Sequence, residues 1–469
     1  MAFGSTFSNL EPATQQNVRC GSCGLGIRFL FDVICDFVTL PMRRRRPAPT
    51  PPPHVPPTAH TSVDTMRRTA LPCFLLAALG SSRHGAFAWT SGDLSAHVNF
   101  RLRRLSLSAL SATNDTPPLA RHALLISSFS DGVVESPPAK AFLKLGLAKA
   151  LTSERSRKVE GQVRESVLFS PCAGPSIDLL NTLEDMDNAI ASLSPPGDEE
   201  SATPMDASEM ERRANEILSM LSKAAASSDK DDEYCRILYV PTAMYALNPE
   251  SKNTPGKQRQ RARADGKKRR NLVVKTIEDL LGEQFAVLAC TLDFDDGSIK
   301  QPVGSDDGSL FPKDGKEALS SWKPHLIYVE GGNTFWLQHC IERGDWVDDI
   351  MRACTGNDAS AVYVGKSAGA IIAGSRVDTA TWKGWDNPAV VPGKETYDDW
   401  YGYKGMSFAG SGTSIFPHME QTWEELVKEK TKQLTKEDGN FVNVYSLQEW
   451  EACCVDGEAR KVFVVSGEQ

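Results

Sequence analysis

The feature that most constrains the fold is a strand, a sharp turn and a small-residue helix between positions 363 and 374. The segment reads Tyr-Val-Gly-Lys-Ser-Ala-Gly-Ala-Ile-Ile-Ala-Gly, and its turn has the Gly-x-Ser-x-Gly pattern of a nucleophile elbow. The turn needs Gly365 and Gly369 because it presses its backbone against the neighbouring strand and helix, where a Cβ atom would clash. We expect Ser367 at the tip, with the amide of Ala368 and the positive end of the helix facing a developing oxyanion.

Strand-like runs alternate with helical segments from about residue 120 onward, which is typical of βα units around a mostly parallel sheet. The predicted strands are residues 124–127, 167–170, 236–240, 286–292, 326–330 and 361–364. The predicted helices are residues 139–151, 177–193, 271–281 and 334–343. The expected fold class is therefore α/β, a three-layer sandwich with the nucleophile elbow at the end of a central strand and the site at the strand carboxyl ends.

Two charged segments interrupt this alternation. Residues 194–233 hold two acidic stretches around one amphipathic helix, predicted at 210–224, and we interpret them as an exposed acidic insertion, with partner docking as the alternative. Residues 257–270 are densely basic but lead into the core-facing helix at 271–281, which favours a solvated helix start over a nucleic-acid contact. The net charge of -8 also argues against nucleic-acid binding.

The first 117 residues have the composition of a targeting region, with arginines, no lysine and few acids. A signal peptide is predicted at 66–86, where Met-Arg-Arg precedes a short apolar run and small residues, and a plastid transit-like segment at 87–117. Residues 1–65 are expected to be disordered, or to be misassigned sequence upstream of a start at Met66. The catalytic domain then spans 118–469 and is delivered to a plastid, with secretion as the alternative.

The chain has no sequence pattern for a membrane span, a metal or a cofactor. Its apolar runs fall short of the ~20 residues that a spanning helix requires, so we expect no stable span in the mature chain. The cysteines are scattered, and Cys20 and Cys23 have no second pair that would complete a zinc site. We expect no metal, no cofactor and no disulfide framework.

A second strand, turn and helix precedes the elbow, with the sequence Glu-Gly-Gly-Asn-Thr-Phe at 330–335. A glycine pair lets the backbone approach a ligand closely, so the amide of Gly332 is a candidate second oxyanion donor and Asn333 a candidate substrate contact. Taken by itself, the same pattern also fits an ordinary tight turn.

Three motifs resemble the dipeptidase E and cyanophycinase family of serine peptidases in their order and spacing. They are Gly-Gly-Asn-Thr-Phe at 331–335, Gly-Lys-Ser-Ala-Gly-Ala at 365–370 and Pro-His at 417–418. The resemblance covers roughly residues 120 to 465, and it implies the flavodoxin-like fold of class I glutamine amidotransferases with serine in place of their cysteine. It also implies hydrolysis of short acidic peptides without a cofactor. The implied partner is a small peptide substrate, and the oligomeric state stays open.

The resemblance assigns roles to single residues. Ser367 is expected to be the nucleophile, and His418 the general base that takes its proton and returns it to the leaving amine. Asp386 falls where dipeptidase E has its acid, whereas Glu449 resembles the position of the cyanophycinase glutamate. Either carboxylate can orient the histidine and stabilise its charged form, and we favour Asp386 over Glu449.

The sequence departs from the family pattern at two places. Glu330 replaces the first glycine of the family's Gly-Gly-Gly-Asn-Thr run, and a negative charge there would disfavour acidic substrates. Dipeptidase E also holds the substrate's aspartyl group with an arginine downstream of its histidine, and no arginine lies between His418 and Arg460. Lys366 is an alternative cation for a substrate carboxylate, although we favour the competing interpretation of a solvent-facing lysine.

The expected function is that of a serine-type exopeptidase that cleaves short, acidic peptides through an acyl-enzyme. Within the same class, the alternative is a cyanophycinase-like hydrolase of isopeptide polymers. An alternative of a different class is a catalytically silent binding module that keeps the elbow as a part of its fold.

Overall fold

The computed structural model describes residues 119–169, 206–225, 234–302, 308–356, 359, 361–396, 404–438 and 442–467. Its strands are β1 (His122–Ile126), β2 (Tyr234–Val240), β3 (Ala286–Leu292), β4 (Ile299–Lys300), β5 (Leu326–Val329), β6 (Val362–Lys366), β7 (Thr413–Phe416), β8 (Asn443–Ser446), β9 (Glu451–Asp456) and β10 (Lys461–Ser466). Its longer α-helices are α1 (Pro137–Phe169), α2 (Ala207–Ala225), α3 (Pro255–Leu281), α4 (Thr334–Arg343), α5 (Val347–Cys354), α6 (Ala368–Ala373), α7 (Thr379–Trp382) and α8 (Glu424–Asp438). Single helical turns lie at Ser130–Val134, Thr242–Tyr245, Gly308–Leu310, Gly315–Glu317, Ala318–Trp322, Pro388–Val390 and Gln421–Trp423.

The centre of the fold is an eight-stranded sheet with the strand order β10-β9-β1-β6-β5-β2-β3-β4. The strands β1, β6, β5, β2 and β3 run parallel to one another. At the edges, β4 pairs antiparallel with β3, and β9 pairs antiparallel with both β1 and β10. The mostly parallel sheet is therefore the one that the alternation of strands and helices predicted.

Helices cover both faces of this sheet. Along β1, Ala123 and Leu125 pack into a core with residues of α4, α5 and α6, whereas Leu124 and Ile126 pack into a second core with residues of α1, α2 and α3. Alternate side chains of a strand point to opposite faces, so both faces of β1 are apolar. The prediction of a three-layer, flavodoxin-like α/β fold is confirmed.

Each predicted strand and helix within the described residues has an observed counterpart, except for one strand. Five predicted strands are present as β1, β2, β3, β5 and β6, each within two residues of its predicted bounds. The strand predicted at 167–170 is wrong, because residues 167–169 form the end of α1. A short apolar run cannot be distinguished from a buried helix segment by its periodicity alone. The helix predicted at 177–193 and the segments 1–65, 66–86 and 87–117 lie outside the described residues.

The two charged segments are more helical than expected. Within the insertion, α2 buries Met210, Ile217 and Leu221 in the same core as α1, so this part is not an exposed excursion. The rest of residues 194–233 lies outside the described residues. The basic run at 257–270 belongs to α3, which begins at Pro255. No helix in the described ranges is both long and apolar enough to cross a bilayer.

A separate two-stranded parallel sheet, β7–β8, carries the second half of the site. Its register places Phe416 opposite Ser446. The carboxyl ends of parallel strands meet at the same edge, so the residues that follow the two strands come side by side. His418 follows β7, and Glu449 follows β8.

Candidate active site

The nucleophile elbow forms at the end of β6, as expected from its sequence. Ser367 has φ 48° and ψ -107°, a strained backbone for a non-glycine residue, and α6 begins directly after it. A Cβ atom on Gly365 would lie 2.5 Å from the carbonyl oxygen of Gly369, so no residue with a side chain fits at position 365. The N–H of Ser367 donates to the carbonyl of Ile126 at 2.8 Å. This bond fixes the turn to the end of β1 and holds the hydroxyl at the carboxyl edge of the sheet.

A histidine and a carboxylate extend the hydrogen bonding from the serine hydroxyl. Nε2 of His418 lies 2.9 Å from Oγ of Ser367, and Nδ1 lies 2.5 Å from Oε1 of Glu449. An ionised carboxylate can only accept, so Nδ1 carries the hydrogen and Nε2 is free to accept the serine hydroxyl hydrogen. The hydrogen bond from His418 lowers the pKa of Glu449 below its usual value. Glu449 therefore remains charged beside the imidazole at neutral pH.

The main chain of His418 is held from both sides. His418 has φ 56°, an uncommon backbone conformation for a side-chain-bearing residue. Its N–H donates to Oγ of Ser127 at 2.8 Å, and its carbonyl accepts from Nζ of Lys383. Ser127 in turn donates to the carbonyl of Leu447 at 2.9 Å. Neither Ser127 nor Lys383 could be predicted as part of the site, because a serine after a strand and a lysine in a loop have no motif of their own.

The structure places Glu449, and not Asp386, on the imidazole. The carboxyl of Asp386 accepts the main-chain N–H of Thr334 at 3.1 Å, at the start of α4. Burial raises the pKa of this carboxyl above its usual value. Both ring nitrogens of His418 are already bonded to Glu449 and Ser367. The preference for Asp386 as the acid therefore does not fit the geometry, and the alternative, Glu449, does.

Asn333 fastens two parts of the structure to each other. Its Oδ1 accepts the main-chain N–H of Trp336 at 2.9 Å and so caps α4. Its Nδ2 donates to the carbonyl of Asn387 at 3.0 Å. Both ends of the predicted substrate contact are thus engaged in capping and in loop attachment.

The Gly-Gly turn lies directly against the nucleophile. A Cβ atom on Gly331 would lie 2.8 Å from Cβ of Ser367. Gly332 has φ 150°, and a Cβ atom on it would lie 2.4 Å from the carbonyl oxygen of Ala243. Ala368 is the first residue of α6, so its N–H has no acceptor within that helix. The two candidate oxyanion donors, Gly332 and Ala368, therefore belong to turns that meet at the serine.

Glu330 is buried beneath this turn with its charge compensated. Its side chain is only 1% exposed, and its Oε2 lies 3.0 Å from Nη1 of Arg269 and 3.4 Å from Nζ of Lys366. The same oxygen accepts the N–H of Gly331 at 3.0 Å. The negative charge of Glu330, which was expected to disfavour acidic substrates, is thus compensated by Arg269 and Lys366. Lys366 points its ammonium group to Glu330, so it is neither a simple solvent-facing lysine nor an unpaired cation.

The cysteines of the described ranges are buried and free. Burial raises the pKa of Cys453 to about 12, which keeps this thiol protonated. In the described part of the chain, no group of three or more His, Cys, Asp or Glu side chains is placed to hold a metal ion. The hydroxyl of Ser367, by contrast, is only partly buried and is hydrogen-bonded to the imidazole of His418.

Comparison with known proteins gives one family. Residues 312–463 match the family model described as peptidase family S51. The chain is also similar to a solved structure of a candidate peptidase E protein from Listeria monocytogenes EGD-e, with 18% identity over 53% of this chain and 92% of that one, and a TM-score of 0.26. For a peptidase from an acI-B1 Actinobacterium the identity is 15%, over 54% of this chain and 81% of that one, with a TM-score of 0.27.

No curated protein sequence matches the chain. The match of residues 312–463 to the family model is therefore the comparison that bears on the site. The matched segment contains the elbow, the histidine and the glutamate of the site. Residues 312–463, which hold the elbow, the histidine and the glutamate, are thus similar to peptidase family S51, and this similarity supports a peptidase.

Proposed function

We propose that the protein is a serine-type peptidase that cleaves short peptides through an acyl-enzyme. The observation that carries the proposal is the 2.9 Å contact between Oγ of Ser367 and Nε2 of His418, with Glu449 on the other ring nitrogen. This is the geometry that a serine needs if it is to lose its proton as it attacks a carbonyl.

The proposed reaction has two halves. His418 takes the hydroxyl proton while Oγ of Ser367 bonds to the scissile carbonyl carbon, and the resulting oxyanion lies against the amides of Gly332 and Ala368. His418 then gives the proton to the leaving amine, the C–N bond breaks and an acyl-serine ester remains. In the second half, His418 takes a proton from water, whose oxygen attacks the ester, and returns it to Ser367 as the acid product leaves.

Glu449 supports both halves electrostatically. Its lowered pKa keeps it ionised, and an ionised carboxylate stabilises the imidazolium that forms in each half-reaction. Its acceptor oxygen also fixes the tautomer in which Nε2 faces the serine.

Short acidic peptides are the proposed substrates. The support for them in this chain is that Glu330 is paired with Arg269 and Lys366, so it does not repel a carboxylate. A cyanophycinase-like isopeptide hydrolase is the second candidate, and the contact between His418 and Glu449 favours it, because Glu449 occupies the position that resembles the cyanophycinase acid.

A serine-directed fluorophosphonate probe tests the proposal on the full chain. Wild type is expected to be labelled at Ser367, Ser367→Ala is expected not to be, and Ser320→Ala is the control because Ser320 is an exposed serine remote from the elbow in sequence. A dipeptide library then compares acidic and neutral amino-terminal residues, with β-aspartyl-arginine added for the isopeptide alternative. A folded wild type that the probe does not label would contradict the serine mechanism and favour a binding module.

We also propose delivery of the protein to a plastid, on the composition of residues 66–117. A fluorescent fusion to residues 66–117 is expected to reach the plastid, and the same fusion without 87–117 is expected to be secreted. Retention of both fusions in the cytosol would contradict this proposal.

A further inference from the structure

One exposed tryptophan lies beside the candidate active site. The indole of Trp385 is 59% exposed, and its ring centroid is 6.2 Å from that of the His418 imidazole. Among the described residues, Leu272 and Val464 are the other large apolar side chains that are strongly exposed. A single exposed apolar side chain needs no explanation on a protein surface, but Trp385 shares its surface with the histidine that handles the proton.

The loop that carries Trp385 is fastened to the start of α4. The carboxyl of Asp386 accepts the N–H of Thr334 at 3.1 Å, and Asn333 donates to the carbonyl of Asn387 at 3.0 Å. Both attachments lie next to the Gly-Gly turn that holds Gly332. The two residues that follow Trp385 are thus attached to the segment that follows Gly332.

Lys383 ties the same loop to the histidine. Its ammonium group donates to the carbonyls of Pro417, at 2.8 Å, and of His418. It also lies 4.4 Å from the centroid of the Trp385 ring, within the range of a cation–π contact. Because these groups surround the ammonium, Lys383 holds the indole in place and is a poor substitute for the arginine that dipeptidase E uses to bind an acidic side chain.

A second tryptophan completes a corner. Trp423 meets Trp385 edge to face, with 6.0 Å between ring centroids and 85° between ring planes. Paired indoles in this arrangement present a rigid apolar surface at a low cost in conformational entropy. The corner lies at the side of His418, whereas Gly331 and its turn lie against Ser367.

We propose that Trp385 and Trp423 form an aromatic subsite that selects a large apolar or aromatic side chain on the substrate residue carrying the leaving amine. The inference rests on the proposed function, in which His418 hands its proton to that amine. The leaving residue must then lie next to the imidazole, and the ring centroid of Trp385 is 6.2 Å from that of the imidazole, so a large side chain on this residue can contact the indole. Specificity at this position is therefore set by apolar contact, independently of the acyl side of the bond.

A dipeptide matrix on the full-length chain measures this specificity. The acyl residue is Asp or Ala, and the leaving residue is Gly, Ala, Leu or Phe. For wild type, kcat/KM is expected to be at least about tenfold higher for Phe than for Gly as the leaving residue, in the range that burial of an apolar group supplies. Trp385→Ala is expected to remove most of that difference, Trp385→Phe to keep it, and Leu272→Ala, an exposed apolar control on α3, to leave all rates unchanged.

Binding to the Ser367→Ala background gives a second reading that needs no turnover. Calorimetry is expected to show tighter binding of Asp-Phe than of Asp-Gly, and this preference is expected to disappear in Ser367→Ala/Trp385→Ala. Equal binding of the two peptides, or a preference that survives loss of Trp385, would overturn the subsite. If the probe labels Ser367 but neither the kinetics nor the calorimetry shows the preference, the subsite is wrong and the serine mechanism stands. If the probe does not label Ser367 but the binding preference is present, the subsite stands and the serine mechanism is wrong.

Discussion

Ser127 and His418 are joined by a hydrogen bond of 2.8 Å across 291 residues of chain, from the main-chain N–H of the histidine to the serine hydroxyl. The same hydroxyl donates to the carbonyl of Leu447, two residues before Glu449. One buried side chain at the end of β1 thus positions the base and the acid of the site relative to each other.

Replacement of Ser127 by alanine tests this role. Ser127→Ala leaves the main-chain N–H of His418 without its partner, whereas the carbonyl of Leu447 still accepts the N–H of Met419. We therefore expect a loss of about 1–3 kcal/mol in the free energy of unfolding. We also expect kcat to fall while KM changes little, because the imidazole loses its alignment and the substrate contacts remain. Urea unfolding and steady-state kinetics measure the two effects. A lower stability with an unchanged kcat would show that the hydroxyl supports only the fold.

The two candidate acids are separated by neutral amide substitutions. Glu449→Gln keeps the size of the side chain but removes the charge that stabilises the imidazolium, and we expect kcat to fall by about 10²–10⁴. Asp386→Asn keeps an acceptor for the N–H of Thr334, so we expect turnover within about tenfold of wild type. Steady-state kcat on one dipeptide decides between them, and a larger loss in Asp386→Asn would restore Asp386 as the acid.

Because the buried carboxylate of Glu330 is paired with Arg269, we expect substitutions of the two residues to have non-additive effects on the free energy of unfolding. Arg269→Met leaves a 1% exposed carboxylate with Lys366 as its remaining cation, and we expect a loss of about 3 kcal/mol, since the broken pair is only partly accessible to water. The double variant Arg269→Met/Glu330→Gln is expected to recover most of the loss. Chemical denaturation of the four proteins of this cycle measures the coupling, and Arg259→Met is the control for removal of an exposed arginine on α3. Strictly additive losses would contradict the pairing.

Lys383 predicts an alkaline limit to activity. Burial lowers the pKa of Lys383 to about 8, whereas a lysine in the unfolded chain keeps its proton up to about pH 10.4. Between these values the unfolded chain binds more protons, so the contribution of this group to the free energy of unfolding rises with pH. Activity is expected to change in the opposite direction, because a neutral amine holds the carbonyl of His418 more weakly.

The pH profile of kcat measures this effect. Wild type is expected to lose activity as the pH rises through about 8, and Lys383→Arg, which stays charged, is expected to move that limb to higher pH. Lys300→Arg, on β4, serves as the matched control. An identical alkaline limb in wild type and Lys383→Arg would assign the limb to another group.

The parts of the fold that depend on local sterics could be predicted from the sequence. The roles of Gly365 and Gly369 could be predicted because the clash that they avoid lies within a few residues of the elbow itself. The parallel strands could be predicted because strands that are buried on both faces are continuous apolar runs in the sequence. Residues 167–169 show the limit of this approach, since the same apolar composition continues a helix there.

The site is formed by contacts between residues that are far apart in the sequence, so only part of it could be predicted from the sequence. Ser367 and His418 each belong to a short motif, and both can be predicted from it. The choice between Asp386 and Glu449 needed the pairing of β7 with β8, which no local pattern encodes. Likewise, the negative charge of Glu330 is compensated by Arg269 on α3, about 60 residues away in sequence. The sequence of a basic run does not show which of its arginines pairs with a buried acid.

The position of β1 in the sheet has a consequence for biosynthesis. β1 lies between β6 and β9, so the strand that emerges from the ribosome early has an unfilled edge until residue 456 has been made. His418 and Glu449 also come from this late stretch. A nascent chain therefore cannot bring Ser367, His418 and Glu449 together before residue 449 has been made.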